Sequence, residues 1–261
     1  MADTVLLSAS PDNIEACVAL ATEHGLGIEL MAFAYPACLD NDWQAVVSHY
    51  KALLAPVRDH LTMHGPFFDM SPGSLDARIN ALTAERYRHA LRIAAELQVK
   101  IVVFHANFIA AIRTEEYRRG WQERNVVFWG GLAEEAQRLG VMIAVENMWE
   151  FDPFIIGDVL RKVEHPHLRA CLDVGHAHLF SDTPFGTWLE TLAPYIIHVH
   201  INNNPGDSDM HQSLVNGVLD YRTLLPRVRA LPHQPSLTLE MDTVADMRAS
   251  LPLLELARRK L

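Results

Sequence analysis

Short apolar runs alternate with longer amphipathic stretches along almost the whole chain. Val5–Ala9 is the first run, and Ser10, Pro11 and Asp12 after it read as a helix start, with a capping serine and a proline at the first helical position. Further strands are predicted at Gly27–Met31, His60–His64, Lys100–His105, Val141–Glu146, Leu168–Asp173, Ile196–Ile201 and Ser236–Glu240. Helices are predicted from Trp43 to Leu54, Thr83 to Leu97, Thr114 to Leu139, Pro153 to Val163, Pro184 to Leu192, Tyr221 to Ala230 and Val244 to Arg259. In the second of these, Tyr87, Ala90, Leu91, Ala94 and Leu97 recur at helical spacing and mark a buried face. Nearly continuous apolar strands imply burial on both faces, as in a parallel sheet covered by helices. Eight strand–helix units with a helix at the end of the chain favour an α/β fold closed as a (β/α)8 TIM barrel over an open doubly wound sheet. One domain over residues 1–261 is expected.

Composition narrows the partners. Of 261 residues 49% are apolar, enough for a large core, and no low-complexity tether interrupts them. The formal charge of −10 argues against a surface built to grip a polyanion, so nucleic acid is not an expected partner. Met1–Asp12 has no basic stretch followed by an apolar core, and no run is long enough to cross a bilayer, which predicts a cytoplasmic protein without membrane contact. Cys17, Cys38 and Cys171 are odd in number and lack zinc-knuckle spacing, so buried free thiols are expected.

The polar residues fall where such a barrel would do chemistry. His64, His105, Glu146, Asp173, His200 and Glu240 lie at the carboxyl ends of the third to eighth predicted strands, and the carboxyl ends of barrel strands converge on one mouth. A Glu or Asp at the edge of a buried strand costs several kcal/mol unless paired or metal-bound. Glu146, Asp173, His200 and Glu240 therefore read as an oxygen-rich pocket for one divalent cation: Mn²⁺, Mg²⁺, Co²⁺ or Zn²⁺. His198 also points inward by alternation but one layer deeper, as a packed or supporting histidine.

These residues lie in motifs that resemble the xylose isomerase-like TIM barrels, a superfamily of sugar phosphate isomerases and epimerases and of the metal-dependent AP endonucleases (AP endonuclease family 2). The motifs are His64-Gly65-Pro66-Phe67, Val145-Glu146-Asn147, Leu172-Asp173-Val174-Gly175-His176, Val199-His200-Ile201-Asn202, Asp209-Met210-His211-Gln212-Ser213-Leu214 with Gly217, and Leu239-Glu240. The resemblance implies a metal held by Glu146, Asp173, His200 and Glu240. In the endonuclease branch it implies three ions, Zn²⁺ if multinuclear, with His64 and His105 joining Glu146 at one and His176, Asp209 and His211 at another. The alternative role for these five is hydrogen bonding to a polyol. Two positions depart from the family: Val215-Asn216-Gly217 stands where Gly-Glu-Gly is common, and Asn203 where an acidic residue is usual.

Two activities follow. One is a metal-dependent isomerase or epimerase of a small sugar or keto-polyol, working through a metal-stabilised enediolate. Glu146 and Glu240 would move the proton, and Asn147, Trp149 and Phe67 (with Phe68 beside it) would face the substrate. The other is a phosphoesterase with two or three ions, of the AP endonuclease type. The segments Gly175–Thr183 and Asn202–Leu219 contain no Lys or Arg, and only Arg78 and Arg113 offer phosphate contacts, which favours an unphosphorylated sugar. A homo-oligomer is compatible with the fold, but no patch is diagnostic.

Overall fold

A computed structural model describes residues 3–258. Eight strands form a closed barrel in which every neighbour is parallel and the order is sequential, the predicted (β/α)8 architecture. The strands are β1 (Val5–Ala9), β2 (Gly27–Leu30), β3 (Leu61–His64), β4 (Ile101–His105), β5 (Met142–Glu146), β6 (Leu168–Asp173), β7 (Ile196–Ile201) and β8 (Ser236–Leu239). The helices are α1 (Ile14–His24), α2 (Pro36–Asp40), α3 (Trp43–Leu53), α4 (Ala77–Glu96), α5 (Glu115–Leu139), α6 (Phe154–Val163), α7 (Val174–Leu179), α8 (Phe185–Leu192), α9 (Tyr221–Arg229) and α10 (Val244–Arg258). No helix among the described residues is long and apolar enough to cross a membrane.

Local side chains explain where the boundaries depart from the expected ones. The start expected at Ser10-Pro11 gives way to a turn, because Asn13 Oδ1 accepts the Ser10 N–H at 2.9 Å and the helix begins only at Ile14. α4 begins well before Thr83: the Asp76 carboxylate caps it, accepting from Arg78 N at 2.8 Å. Asp173 likewise accepts from His176 N at 2.5 Å and starts α7, a helix the apolar pattern did not predict. The expected end of the last helix, Arg259, lies outside the described residues.

The barrel has two different interiors. Between sheet and helices lies one continuous apolar core from β1 to α10, in which Tyr87 stacks on Phe104 at 4.1 Å between ring centroids and beside Trp129 at 5.7 Å. Within the barrel the apolar residues shrink to a patch of Val103, Ala144 and Cys171, with Ile101 and Ile197 against it. Around that patch the lumen is polar and buried: Glu29, Thr62, His64, Glu146, Asp173, His198, His200 and Thr238 are all less than 5% exposed. Strand alternation puts them there, since residues two apart share a face. Gly65 lets the end of β3 turn tightly over the outer core; a Cβ there would sit 2.1 Å from the Phe104 ring.

Candidate metal centre

The carboxyl ends of β5, β6, β7 and β8 bring Glu146, Asp173, His200 and Glu240 together, with one ligand atom from each lying within 4.8 Å of the others. Glu146 is the hub. Its Oε1 lies 3.1 Å from His200 Nδ1, while its Oε2 faces His64 Nε2 at 3.2 Å and His105 Nε2 at 3.3 Å. Glu240 Oε2 approaches His200 Nδ1 to 3.2 Å but makes no hydrogen bond, because that nitrogen is aligned on Glu146. Asp173 accepts from Asn202 Nδ2 at 2.9 Å.

Two satellite groups flank this quartet. His64, His105 and Glu146 form one, and His176, Asp209 and His211 the other. His176 Nε2 lies 3.1 Å from Asp209 Oδ2, and His211 Nε2 lies 3.2 Å from Asp209 Oδ1. His211 reaches this position with φ +42°, a left-handed backbone uncommon outside glycine. Its loop is pinned by Asn203, which donates from Nδ2 to Leu214 O and Leu219 O and accepts at Oδ1 from Asn204 N and Leu219 N. At Gly217 (φ +150°) a Cβ would fall 2.3 Å from Asn203 Oδ1, so the Asn203 and Gly217 positions depend on each other. At Asn203, where the family usually has an acid, this chain uses the amide to shape the loop.

The residues fit a cation. His64 Nδ1 lies 2.9 Å from Gly65 O and His176 Nδ1 lies 2.9 Å from Asn147 O, contacts in which only the nitrogen can donate. The Nε2 of each neutral ring then turns a lone pair toward a carboxylate, a repulsive pairing unless a proton or a metal lies between. Without a metal, protons fill that role. Burial pulls the His176 pKa down, but Asp173, Asp209 and Glu146 outweigh it and raise it to about 10. His211 rises to about 9 against burial, through Glu240 and the two aspartates. His200 is held well above its ordinary value, the neighbouring Glu240, Glu146 and Glu29 overcoming burial. Burial would raise Glu146, yet His200 and His105 hold it well below the usual carboxylate range. Asp173 is pushed up to about 7 by burial and by Glu240 and Glu146, with His176 opposing. The buried Glu240 oxygen without a hydrogen bond completes the case, since such an orphan costs about 1–3 kcal/mol or more if charged.

The remaining expected residues divide. Phe67 lines the mouth and stacks on His105 at 4.7 Å. Asn147 is buried and uses its amide on the backbone of Asp173, donating to its carbonyl and accepting from its N–H, both at 3.0 Å. Trp149 is 45% exposed and does not line the mouth cavity. That cavity, about 440 Å³, is bounded by His64, His105, His176, Asp209, His211 and Glu240 on its polar side. Met31, Tyr35, Phe67, Met148 and Met241 line its apolar side, and Asp12 and Asp242 add carboxylates. No Lys or Arg among the described residues lines it. Arg78 is absent from the lining, and Arg113 instead pairs with Asp182 and lies over the Phe151 ring at 4.4 Å.

Glu29 was missed by pattern reading. It sits inside an otherwise apolar strand rather than at its end, and it is fully buried below the quartet. His200 Nε2 contacts its Oε1 at 2.9 Å and His198 Nε2 its Oε2 at 2.7 Å, while Thr62 and Thr238 donate to Oε2 at 2.8 and 2.7 Å. The available signal was an acidic residue at an inward position of β2. His198 is a supporting histidine as expected, with Nδ1 2.6 Å from Ser236 Oγ.

Comparison with known proteins shows the family and the fold. The family model of the xylose isomerase-like TIM barrel matches residues 3–257. The TTHB071 protein from Thermus thermophilus, solved after soaking with ZnCl2, superposes with a TM-score of 0.84 at 29% identity, over 98% of both chains. A D-tagatose 3-epimerase-like protein shares the fold at a TM-score of 0.78 and 21% identity, over 98% of this chain and 97% of its own. In sequence, the uncharacterized protein MJ1311 of Methanocaldococcus jannaschii is 26% identical over 202 residues, 75% of this chain and 69% of that protein.

Proposed function

The chain belongs to the xylose isomerase-like TIM barrel family, and from that premise we propose that it is a divalent-metal-dependent isomerase or epimerase of a small, unphosphorylated sugar or keto-polyol. The observation that carries this reading is the pairing of two buried carboxylates, Glu146 and Glu240, across His200 Nδ1 at 3.1 and 3.2 Å, under a mouth cavity that no described Lys or Arg lines. Glu146, Asp173, His200 and Glu240 would hold the cation, which would supply Lewis-acid polarisation of a substrate carbonyl. Glu146 and Glu240 reach the site from different strands, so one can take the carbon-bound proton and the other return it. His176 and His211 orient hydroxyls, and Phe67 gives the apolar sugar face a wall. The cavity favours a neutral substrate because a phosphate would meet Asp12, Asp209 and Asp242 with no Lys or Arg to clamp it.

A second reading, a phosphoesterase with two or three ions, draws on the two satellite groups. Elemental analysis of the purified chain, with turnover of a ketose compared with its phosphate, separates them. One ion per chain and preference for the free ketose is the expected result. Two or three ions with hydrolysis of a phosphoester would replace the isomerase by the second reading.

A further inference from the structure

Glu29 lies too deep to meet a substrate, yet it is the most fully bonded side chain of the lumen. Its two oxygens receive the Nε2 contacts of His198 and His200 and the hydroxyls of Thr62 and Thr238, tying β2, β3, β7 and β8 together directly beneath the quartet. A carboxylate can only accept, so the His200 contact requires a hydrogen on Nε2. In the neutral ring that leaves the Nδ1 lone pair aimed at Glu146 Oε1 and Glu240 Oε2, where a cation would sit. We infer that Glu29 is a positioning residue for the metal centre, fixing the tautomer and ring orientation of His200 from below.

Two geometric facts support this over a purely structural role. His198 takes the other Glu29 oxygen and is itself held by Ser236, so Glu29 cannot rotate away from His200 without breaking three further hydrogen bonds. Cys171, His198 and His200 also form a compact group that could hold an ion of its own. All four ring nitrogens of those histidines, however, are engaged with Ser236, Glu29 and Glu146, which leaves the thiol without a second free donor. Glu29 thereby commits His200 upward, to the mouth.

The inference rests on the metal reading above, and the test keeps the two apart. Zn²⁺ affinity of the full chain is measured by competition with a chelating dye for wild type, Glu29→Gln and Thr62→Val, alongside the ¹⁵N shifts of the His200 ring in the loaded protein. Circular dichroism checks the fold. The isosteric Gln is expected to fold and to bind Zn²⁺ about 10–100-fold more weakly, with the His200 ring losing its pure Nε2–H signature. Thr62→Val, which removes one Glu29 hydrogen bond without touching His200, is expected to stay within about threefold of wild type in affinity. Wild-type affinity and tautomer in Glu29→Gln would overturn the inference alone. So would an equal loss in Thr62→Val, which would make Glu29 a matter of general packing. Failure of the wild-type chain to bind any Zn²⁺ would overturn the metal reading and this inference together.

Discussion

The two polar layers of the lumen both combine buried carboxylate with histidine and behave oppositely. In the lower layer Glu29, Thr62, His198 and Thr238 satisfy one another, and the Glu29 carboxylate stays ionised: burial opposes it, but His200 and His198 hold its pKa well below the ordinary range. In the upper layer Glu146, Asp173 and Glu240 crowd together, one oxygen of Glu240 has no hydrogen bond, and Asp173 is driven up to about 7. A buried polar network that closes on itself stiffens a fold, whereas one that stays open is a place for a ligand. The lower network is closed and holds His200 from beneath, whereas the open one above carries the donor set that could hold a cation.

Four experiments break or sharpen that contrast. The largest effect is expected at the open layer: Glu146→Gln and Glu240→Gln should each lower isomerase turnover by about 10²–10⁴-fold while the circular dichroism spectrum is retained. Full activity in both variants would remove their acid–base role. The next largest belongs to the outer core, where Leu91 is fully buried. Leu91→Ala should cost about 2–5 kcal/mol in denaturant unfolding yet leave the number of ions bound per chain unchanged, and a change in that number would mean that the two interiors are coupled.

A smaller effect concerns pH in the metal-free chain. His176 at about 10 and His211 at about 9 lie above their ordinary value of 6.5, so their pairing stabilises the fold fully below pH 6.5. That stabilisation fades as pH rises through the 9–10 range. Thermal melts of chelator-treated protein should fall over this window while melts of Zn²⁺-loaded protein hold, because a bound ion takes the place of those protons. Parallel curves would place the satellite group outside any metal site. The smallest effect is expected at the rim. Arg113→Ala breaks an exposed pair with Asp182 and should change stability by less than about 1 kcal/mol. It should also leave KM for a ketose unchanged; a raised KM for the ketose phosphate alone would revive a phosphate contact.

The fold was legible because it depends on repetition. Eight apolar runs of strand length, each followed by a helical stretch, admit few closed arrangements, and the expected strand ends at His64, His105, Glu146 and Asp173 match the structure to the residue. Boundaries slipped where a single side chain decided them: Asn13 delayed α1, Asp76 advanced α4, and Asp173 started α7. These caps act over two or three residues and leave no trace in hydrophobic periodicity.

For the site, the strand-end rule and the motifs brought forward every member of the quartet and of both satellite groups, because a barrel converts the end of each strand into one rim. Which residues share an ion's volume, which carboxylate lies under which ring, and which nitrogen faces the mouth were decided only by closure. Glu29 is the clearest case. Its importance arises from residues at positions 62, 198, 200 and 238, contributed by three other strands and brought within 2.9 Å of one carboxylate. No local pattern encodes a contact of that kind. Hydrophobic spacing specifies where strands run, but the partners of a buried charge are set by distance, and distance exists only once the barrel has closed.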